Sequence, residues 1–235
     1  MINFYSKSIK KSTRYIAFVM ILITGLTACK TDEETIVPAA FISVFNASPT
    51  AATYDVYLND VKFNTVALPF GGGTAYASKP VGSYNIKLTV ADRIESVITK
   101  SVSLTENKYY SYYFINRPSS LDGLLINDEV GMASADKASV RFINLSPDAP
   151  ALDLATSTGT SLATDKSFKQ YSGFTQIAPG ATVLLIKDKV SGATKSTLES
   201  FTFVAGGYYT VIARGLVTPT SSLESSFSGQ VLIHK

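Results

Sequence analysis

Past residue 40 the apolar side chains of this chain fall at every second position. Ile42 and Val44, then Tyr54, Val56 and Leu58, then Tyr84, Ile86 and Leu88 alternate with Ser43, Asp55, Tyr57, Asn85 and Lys87. Successive side chains of a strand point to opposite faces, so a period of two predicts strands with one buried face, and amphipathic helices do not fit it. The inward set recurs later as Val140, Phe142, Leu152, Leu154, Leu184 and Ile186. Turn signals punctuate these runs at Ser48-Pro49, Asn59-Asp60, Pro80-Val81-Gly82, Asp92, Ser146-Pro147, Pro179-Gly180, Ser191-Gly192 and Gly206-Gly207. Strand-length segments spaced in this way predict an all-β sandwich architecture, with no segment past residue 40 reading as a helix.

The pattern also repeats itself. Val44-Phe45-Asn46-Ala47-Ser48-Pro49 corresponds to Phe142-Ile143-Asn144-Leu145-Ser146-Pro147 at an offset of 98, which also carries Asp55 to Asp153 and Gly82 to Gly180. One residue more carries Tyr109-Tyr110-Ser111 to Tyr208-Tyr209-Thr210. Matches this widely spaced and in order predict two tandem β-sandwich domains of about a hundred residues, 40–133 and 134–235, each large enough for its own core.

The first 28 residues read differently. Lys7, Lys10, Lys11 and Arg14 precede an apolar run from Tyr15 to Leu26, about twelve residues, well short of the roughly twenty that span a bilayer. The run ends in Leu26-Thr27-Ala28-Cys29, the aliphatic-small-small-Cys order of a bacterial lipobox. Residues 1–28 are therefore expected to be a lipoprotein signal peptide, and Cys29, the single cysteine, an acylated membrane anchor. Two or three acyl chains hold a protein stably, at about 0.8 kcal/mol per buried methylene. Residues 29–39, with Lys30, Asp32, Glu33, Glu34 and Pro38, are too polar to bury apolar surface and are expected to form a flexible acidic tether. Lys followed by acidic residues after the anchor is similar to the signal that exports some lipoproteins to the cell surface, which predicts an outer-membrane location.

Cleavage changes the charge balance. Of 21 basic and 18 acidic residues, four basic ones lie in the signal, leaving 17 against 18 and a net charge of −1. The basicity belongs to the targeting peptide, so bulk electrostatics give no case for a nucleic-acid partner.

Candidate chemistry is sparse. The single histidine, His234, stands next to last in the chain, a position that rarely holds a general base rigidly in a cleft. No Cys and His spacing suits zinc. Gly71-Gly72-Gly73-Thr74 lacks the Lys-Ser/Thr ending of a phosphate cradle and reads as a loop of unusual dihedrals. Asp55, Asp148 and Asp153 read as solvated or turn-forming acids rather than calcium ligands. Tyrosines are the most suggestive feature. In Tyr109-Tyr110-Ser111-Tyr112-Tyr113-Phe114-Ile115, alternation sends Tyr110, Tyr112 and Phe114 inward, matching Tyr209, Val211 and Ala213. That leaves Tyr109 and Tyr113, with Tyr57 nearby, as a candidate exposed binding strip for sugar rings or a partner protein, unless the neighbouring domain covers it.

Asn144-Leu-Ser-Pro-Asp-Ala-Pro-Ala-Leu-Asp153, Ala178-Pro-Gly180 and Gly206-Gly-Tyr-Tyr-Thr-Val211 together resemble the bacterial domain of unknown function forty-three ninety-seven. The resemblance spans nearly all of the second copy and, more loosely, the first, where Thr50-Ala-Ala and Asn107-Lys108 depart from it. It implies extracytoplasmic immunoglobulin-like sandwiches with no assigned activity. The expected protein is a non-enzymatic, lipid-anchored envelope protein, without cofactor or metal, that displays two sandwiches to a protein partner or matrix component. A carbohydrate-binding surface lipoprotein is the alternative, and a hydrolase relying on His234 ranks behind both.

Overall fold

The computed structural model describes residues 37–132 and 134–234. The expected signal peptide, Cys29 and most of the tether lie outside the described residues. Strands β1 (Ala39–Asn46), β2 (Tyr54–Leu58), β3 (Val61–Lys62), β4 (Ala77–Pro80), β5 (Gly82–Val90), β6 (Ser96–Leu104), β7 (Tyr109–Ile115) and β8 (Asp122–Asn127) build the first half. Strands β9 (Ala138–Asn144), β10 (Leu152–Thr156), β11 (Ser161–Lys166), β12 (Thr175–Ile177), β13 (Gly180–Thr182), β14 (Leu184–Asp188), β15 (Thr194–Thr197), β16 (Phe201–Phe203), β17 (Tyr208–Arg214) and β18 (Ser228–Ile233) build the second. The fold is all-β, relieved by one 3₁₀ turn at Pro118–Ser120.

Each half is a sandwich of two four-stranded sheets. In the first, β4-β1-β7-β8 faces β3-β2-β5-β6; in the second, β12-β9-β17-β18 faces β11-β10-β14-β15, and the pair β13 with β16 stands where, in the first half, β5 begins and β6 ends. The strand order is the same in both, including the parallel pairs β1 with β7 and β9 with β17. Isologous strands thus occupy isologous places, as the offset of 98 to 99 residues requires.

The period-two pattern predicts the cores. Ile42, Val44, Tyr54, Val56, Leu58, Ile86, Leu88, Tyr110, Tyr112 and Phe114 meet in one cluster, against which Tyr84 packs partly buried. Val140, Phe142, Leu152, Leu154, Leu184, Ile186, Tyr209, Val211 and Ala213 meet in the other. Burying each of the larger side chains contributes about 1.5–3 kcal/mol. The predicted turns supply the reversals: Asn59 and Asp60, at φ 47° and 65°, form the two-residue connection of the β2–β3 hairpin, where left-handed dihedrals match the strand twist.

The repeated Asn-x-Ser-Pro string has a structural task. Asn46 Oδ1 accepts the Ser48 amide at 3.1 Å and its Nδ2 donates to the Leu68 carbonyl at 3.1 Å. Asn144 does the same with the Ser146 amide at 3.0 Å and the Lys166 carbonyl at 2.9 Å. Ser48 and Ser146 then donate to the carbonyls of Asn116 and Gly215 at 2.8 and 2.7 Å. One buried carboxamide therefore ties the end of a strand to a crossing loop, and a buried hydroxyl ties the next turn to the end of the neighbouring strand. Replacing Asn46 or Asn144 by Ala strands buried carbonyls and is expected to cost about 2–3 kcal/mol in urea unfolding. A loss under 0.5 kcal/mol at both would contradict this role.

Candidate functional site

The outward faces of β4-β1-β7-β8 and β12-β9-β17-β18 meet each other. Ala47, Tyr113, Ile115 and Ile126 of the first half interdigitate with Ile143, Leu145, Ile212 and Leu232 of the second, flanked by Phe45, Leu124 and Phe168. Both halves fall in one compact unit from Pro38 to the C-terminus. The seam is self-complementary in kind, because each half contributes the same face of the equivalent sheet.

Beside this apolar patch lies a closed polar ring. Arg141 on β9 and Asp128, just past β8, form an ion pair with side chains 2% and 0% exposed. Arg141 Nε donates to Thr210 Oγ1 at 2.8 Å, and Thr210 Oγ1 contacts His234 Nε2. His234 Nδ1 lies 2.6 Å from the Tyr76 hydroxyl, which donates to Asp128 Oδ2 at 2.5 Å. Ser111 donates to the same oxygen at 2.8 Å and lies 3.2 Å from Ser43. The pattern of donors fixes the imidazole: Tyr76 spends its proton on Asp128, so Nδ1 carries the proton toward Tyr76, and Nε2 accepts from Thr210. Burial, reinforced by the Arg141 charge and opposed by Asp128, pushes the His234 pKa down to about 4. The Tyr76 hydroxyl is pushed above its ordinary value by burial and by Asp128. The Arg141 guanidinium also lies 5.1 Å from the Phe174 ring centre, a contact that suits a desolvated cation.

Equivalent positions carry different residues here. Asp128 and His234 both follow the last strand of their half, and their amides donate to the carbonyls of Tyr109 and Tyr208 at 2.8 and 2.9 Å. Ser43 corresponds to Arg141, Ser111 to Thr210, and Tyr76 to Phe174. Further contacts brace the rims. Lys169 reaches across to Asp122 at 2.7 Å, and Lys100 approaches the same carboxylate at 3.0 Å. Although burial works the other way, these ammonium groups hold Asp122 well below the usual carboxylate range. Arg117 pairs with Glu224 at 2.8 Å, and the Thr220 amide together with Arg117 lowers Glu224 to about 2. At the far end Arg214 lies 4.2 Å from the Phe70 ring centre.

The expected tyrosine strip is not a surface. Tyr113 is fully buried in the seam, where burial pushes its pKa up to about 12. Tyr109 is half-buried at the seam's rim, stacked on Phe41 at 4.5 Å. Tyr57 belongs to the opposite sheet, β3-β2-β5-β6, with Lys87 5.0 Å from its ring centre. Alternation assigns the faces correctly, and the second sandwich covers the outward one.

Other expectations are corrected too. His234, whose place next to last in the chain is expected not to hold it rigidly, is held at both ring nitrogens. Asp55 is 5% exposed and paired with Lys62 at 2.9 Å, so it is not a solvated strand acid. Asp148 accepts the amides of Val217 and Thr218 at 2.8 and 2.9 Å, bracing a distant loop, and meets its own turn only at the Ser146 hydroxyl, 3.4 Å away, while Asp153 accepts the Asp165 amide at 2.7 Å. The glycine loop lies against the seam: Gly71, at φ +78°, sits under Arg214, and a Cβ on Gly73 would fall 2.2 Å from the Phe45 ring. Among the described residues no group of three or more His, Cys, Asp or Glu could hold a metal ion. Arg141, Asp128 and Tyr76 escaped the sequence reading. The available signal was Arg141 itself, a lone charge between Val140 and Phe142 in a strand otherwise apolar or small.

Two outcomes follow. Arg141→Met alone leaves Asp128 buried and unpaired and is expected to cost about 3–5 kcal/mol, of which Asp128→Asn in the same chain restores at least half; additive losses in a urea double-mutant cycle would contradict the pairing. Ser111 and Arg141 lie near the buried Tyr113 hydroxyl, but among the described residues none makes a hydrogen bond of good geometry to it. Tyr113→Phe is therefore expected to be neutral or stabilising, whereas Tyr113→Ala costs about 3–5 kcal/mol. Equal losses from both would contradict a seam held by the ring's apolar surface.

Among solved structures, the chain is similar to the TIE protein of Bacillus anthracis, at 14% identity and TM-score 0.25 over 77% of this chain and 34% of that one. This chain thus spans about a third of that protein's length. It is also similar to CBMbc, of family CBM26, from Eubacterium rectale Amy13K in complex with maltoheptaose, at 11% identity and TM-score 0.24 over 84% of this chain and 96% of that one. Likenesses this distant say nothing about a ligand here. No curated protein matches the chain. The family match covers the whole first sandwich and runs on through β9 into β10, whereas the resemblance read from the sequence was fuller in the second copy. Residues 40–155 match the family described as a domain of unknown function, DUF4397.

Proposed function

We propose that this is a lipid-anchored cell-envelope protein whose two sandwiches act as one rigid display body, binding a protein partner or matrix component without a chemical step. The observation that supports a rigid body is the seam, in which a buried apolar patch and a buried ion pair leave the two halves no free hinge. A flexible tandem would spend ordering entropy whenever both modules engaged one partner, and a welded pair avoids that cost. In this reading acylated Cys29 anchors the chain in outer-membrane lipid, residues 30–37 give reach up to the point where Pro38 and Ala39 join the first sheet, and the faces turned away from the seam are the ones offered. The second sandwich is a further copy of the family's domain, a reading supported by the shared strand order. A sugar-binding strip of Tyr57, Tyr109 and Tyr113 loses its basis, since the three do not share an exposed face.

Metabolic labelling with a palmitate analogue tests the anchor: the natural chain is expected to carry label and fractionate with the outer membrane, and Cys29→Ala to do neither. Label retained in the variant would overturn it. Crosslinking mass spectrometry on whole cells tests the display. Lys62 and Lys87 on the first body's outer sheet, or Lys187 and Lys195 on the second's, are expected to link to another envelope component. Crosslinks confined to this chain would remove the binding reading.

A further inference from the structure

The ring across the seam closes only with a neutral imidazole. Following donors around it, Arg141 Nε gives to Thr210, Thr210 to His234 Nε2, His234 Nδ1 to Tyr76, and Tyr76 to Asp128. Thr210, His234 and Tyr76 each pass one proton to the next group, and Arg141 closes the circuit on Asp128. A second proton on His234 would turn Nε2 into a donor aimed at Thr210 Oγ1, which already accepts from Arg141 and would have to turn its own proton away. It would also bring a positive imidazolium toward a buried guanidinium. The charged and titratable groups that face His234 are Tyr76 from the segment before β4, Asp128 after β8 and Arg141 on β9, with Tyr113 of β7 adjoining Tyr76. A single carboxylate balances Arg141 and has nothing left for a second cation.

We propose that His234 is a proton-operated latch between the two sandwiches, closed while its ring is neutral and released when the ring takes up a second proton. Release frees Tyr76 and Thr210 to water and leaves the seam to its apolar patch, the Arg141–Asp128 pair and the rim pairs of Lys169 with Asp122 and Arg117 with Glu224. The direction follows from linkage. A released His234 binds its proton at the ordinary value of 6.5 and a latched one only at about 4, so the latch is fully closed above pH 6.5 and loosens as pH falls toward 4. From well above pH 6.5 to well below 4 the released-to-latched ratio rises by roughly 300-fold, the shift in proton affinity between the two states, and about 80-fold of that falls between pH 6.5 and 4. Nothing in this depends on where the chain is anchored.

The chain has a single histidine, so its imidazole gives one set of NMR signals. Titration of the mature chain from pH 8 to 3.5 is expected to show a neutral form protonated at Nδ1 and a midpoint near 4. A midpoint between 6 and 7, or a neutral form protonated at Nε2, would overturn the proposal. Hydrogen exchange supplies the second readout: after correction for intrinsic rates, protection of the β9 and β17 seam amides should fall by up to about a hundredfold between pH 6.5 and 4. In His234→Gln, which stays neutral, it should not. The same fall in the variant would also overturn it, and the titration of the natural chain decides the matter even if the variant fails to fold.

Discussion

The buried pair of Arg141 and Asp128 is the constraint around which the molecule is arranged. A guanidinium and a carboxylate removed from water cost several kcal/mol each unless they meet each other and fill their remaining hydrogen-bonding positions. Asp128 belongs to the first half and Arg141 to the second, so neither half satisfies its own charge. Separating the sandwiches would expose the apolar patch and strand both ions together. The surrounding hydroxyls of Ser111, Thr210 and Tyr76 complete what the pair leaves unfilled.

Duplication explains how such a seam forms and why it is not symmetric. Two identical domains meeting through the same face would set every charge on that face near its own copy, which is repulsive. Here Ser43 stands where the second copy has Arg141, and His234 where the first has Asp128. Those two divergences turn a self-repelling face into a complementary one, while three apolar pairs stay alike in character, Phe45 with Ile143, Ala47 with Leu145 and Ile126 with Leu232, and Arg214 stands where the first half has Ile115. The inward faces kept the task of building cores, and the outward faces of one sheet pair took on that of joining them. This organisation fits the proposed role of a stiff pair presented away from a membrane, because the surfaces opposite the seam are then held in fixed relation.

The fold was legible because its signals are local. Alternation along Tyr54-Val56-Leu58 or Leu184-Ile186 reports which face is buried, and Asn59-Asp60 reports a tight reversal, each within a few residues. The site was not legible, because its contacts join residues far apart in sequence. Tyr76 and His234 are separated by 158 positions, and no local pattern marks them as neighbours. The tyrosine run shows the boundary between the two kinds of information: period two places Tyr110, Tyr112 and Phe114 inside, and it equally places Tyr113 outside its own sandwich. What it cannot convey is that a second sandwich lies against that outside. Arg141, flanked by Val140 and Phe142, was the one residue whose chemistry contradicted its setting.

The central claim is that the two sandwiches fold and stand as one body. Differential scanning calorimetry of residues 29–235 at neutral pH tests it most directly. A welded seam predicts a single transition in which the van't Hoff and calorimetric enthalpies agree. Two resolved transitions, or a van't Hoff enthalpy near half the calorimetric one, would mean that the halves melt independently and would contradict the account.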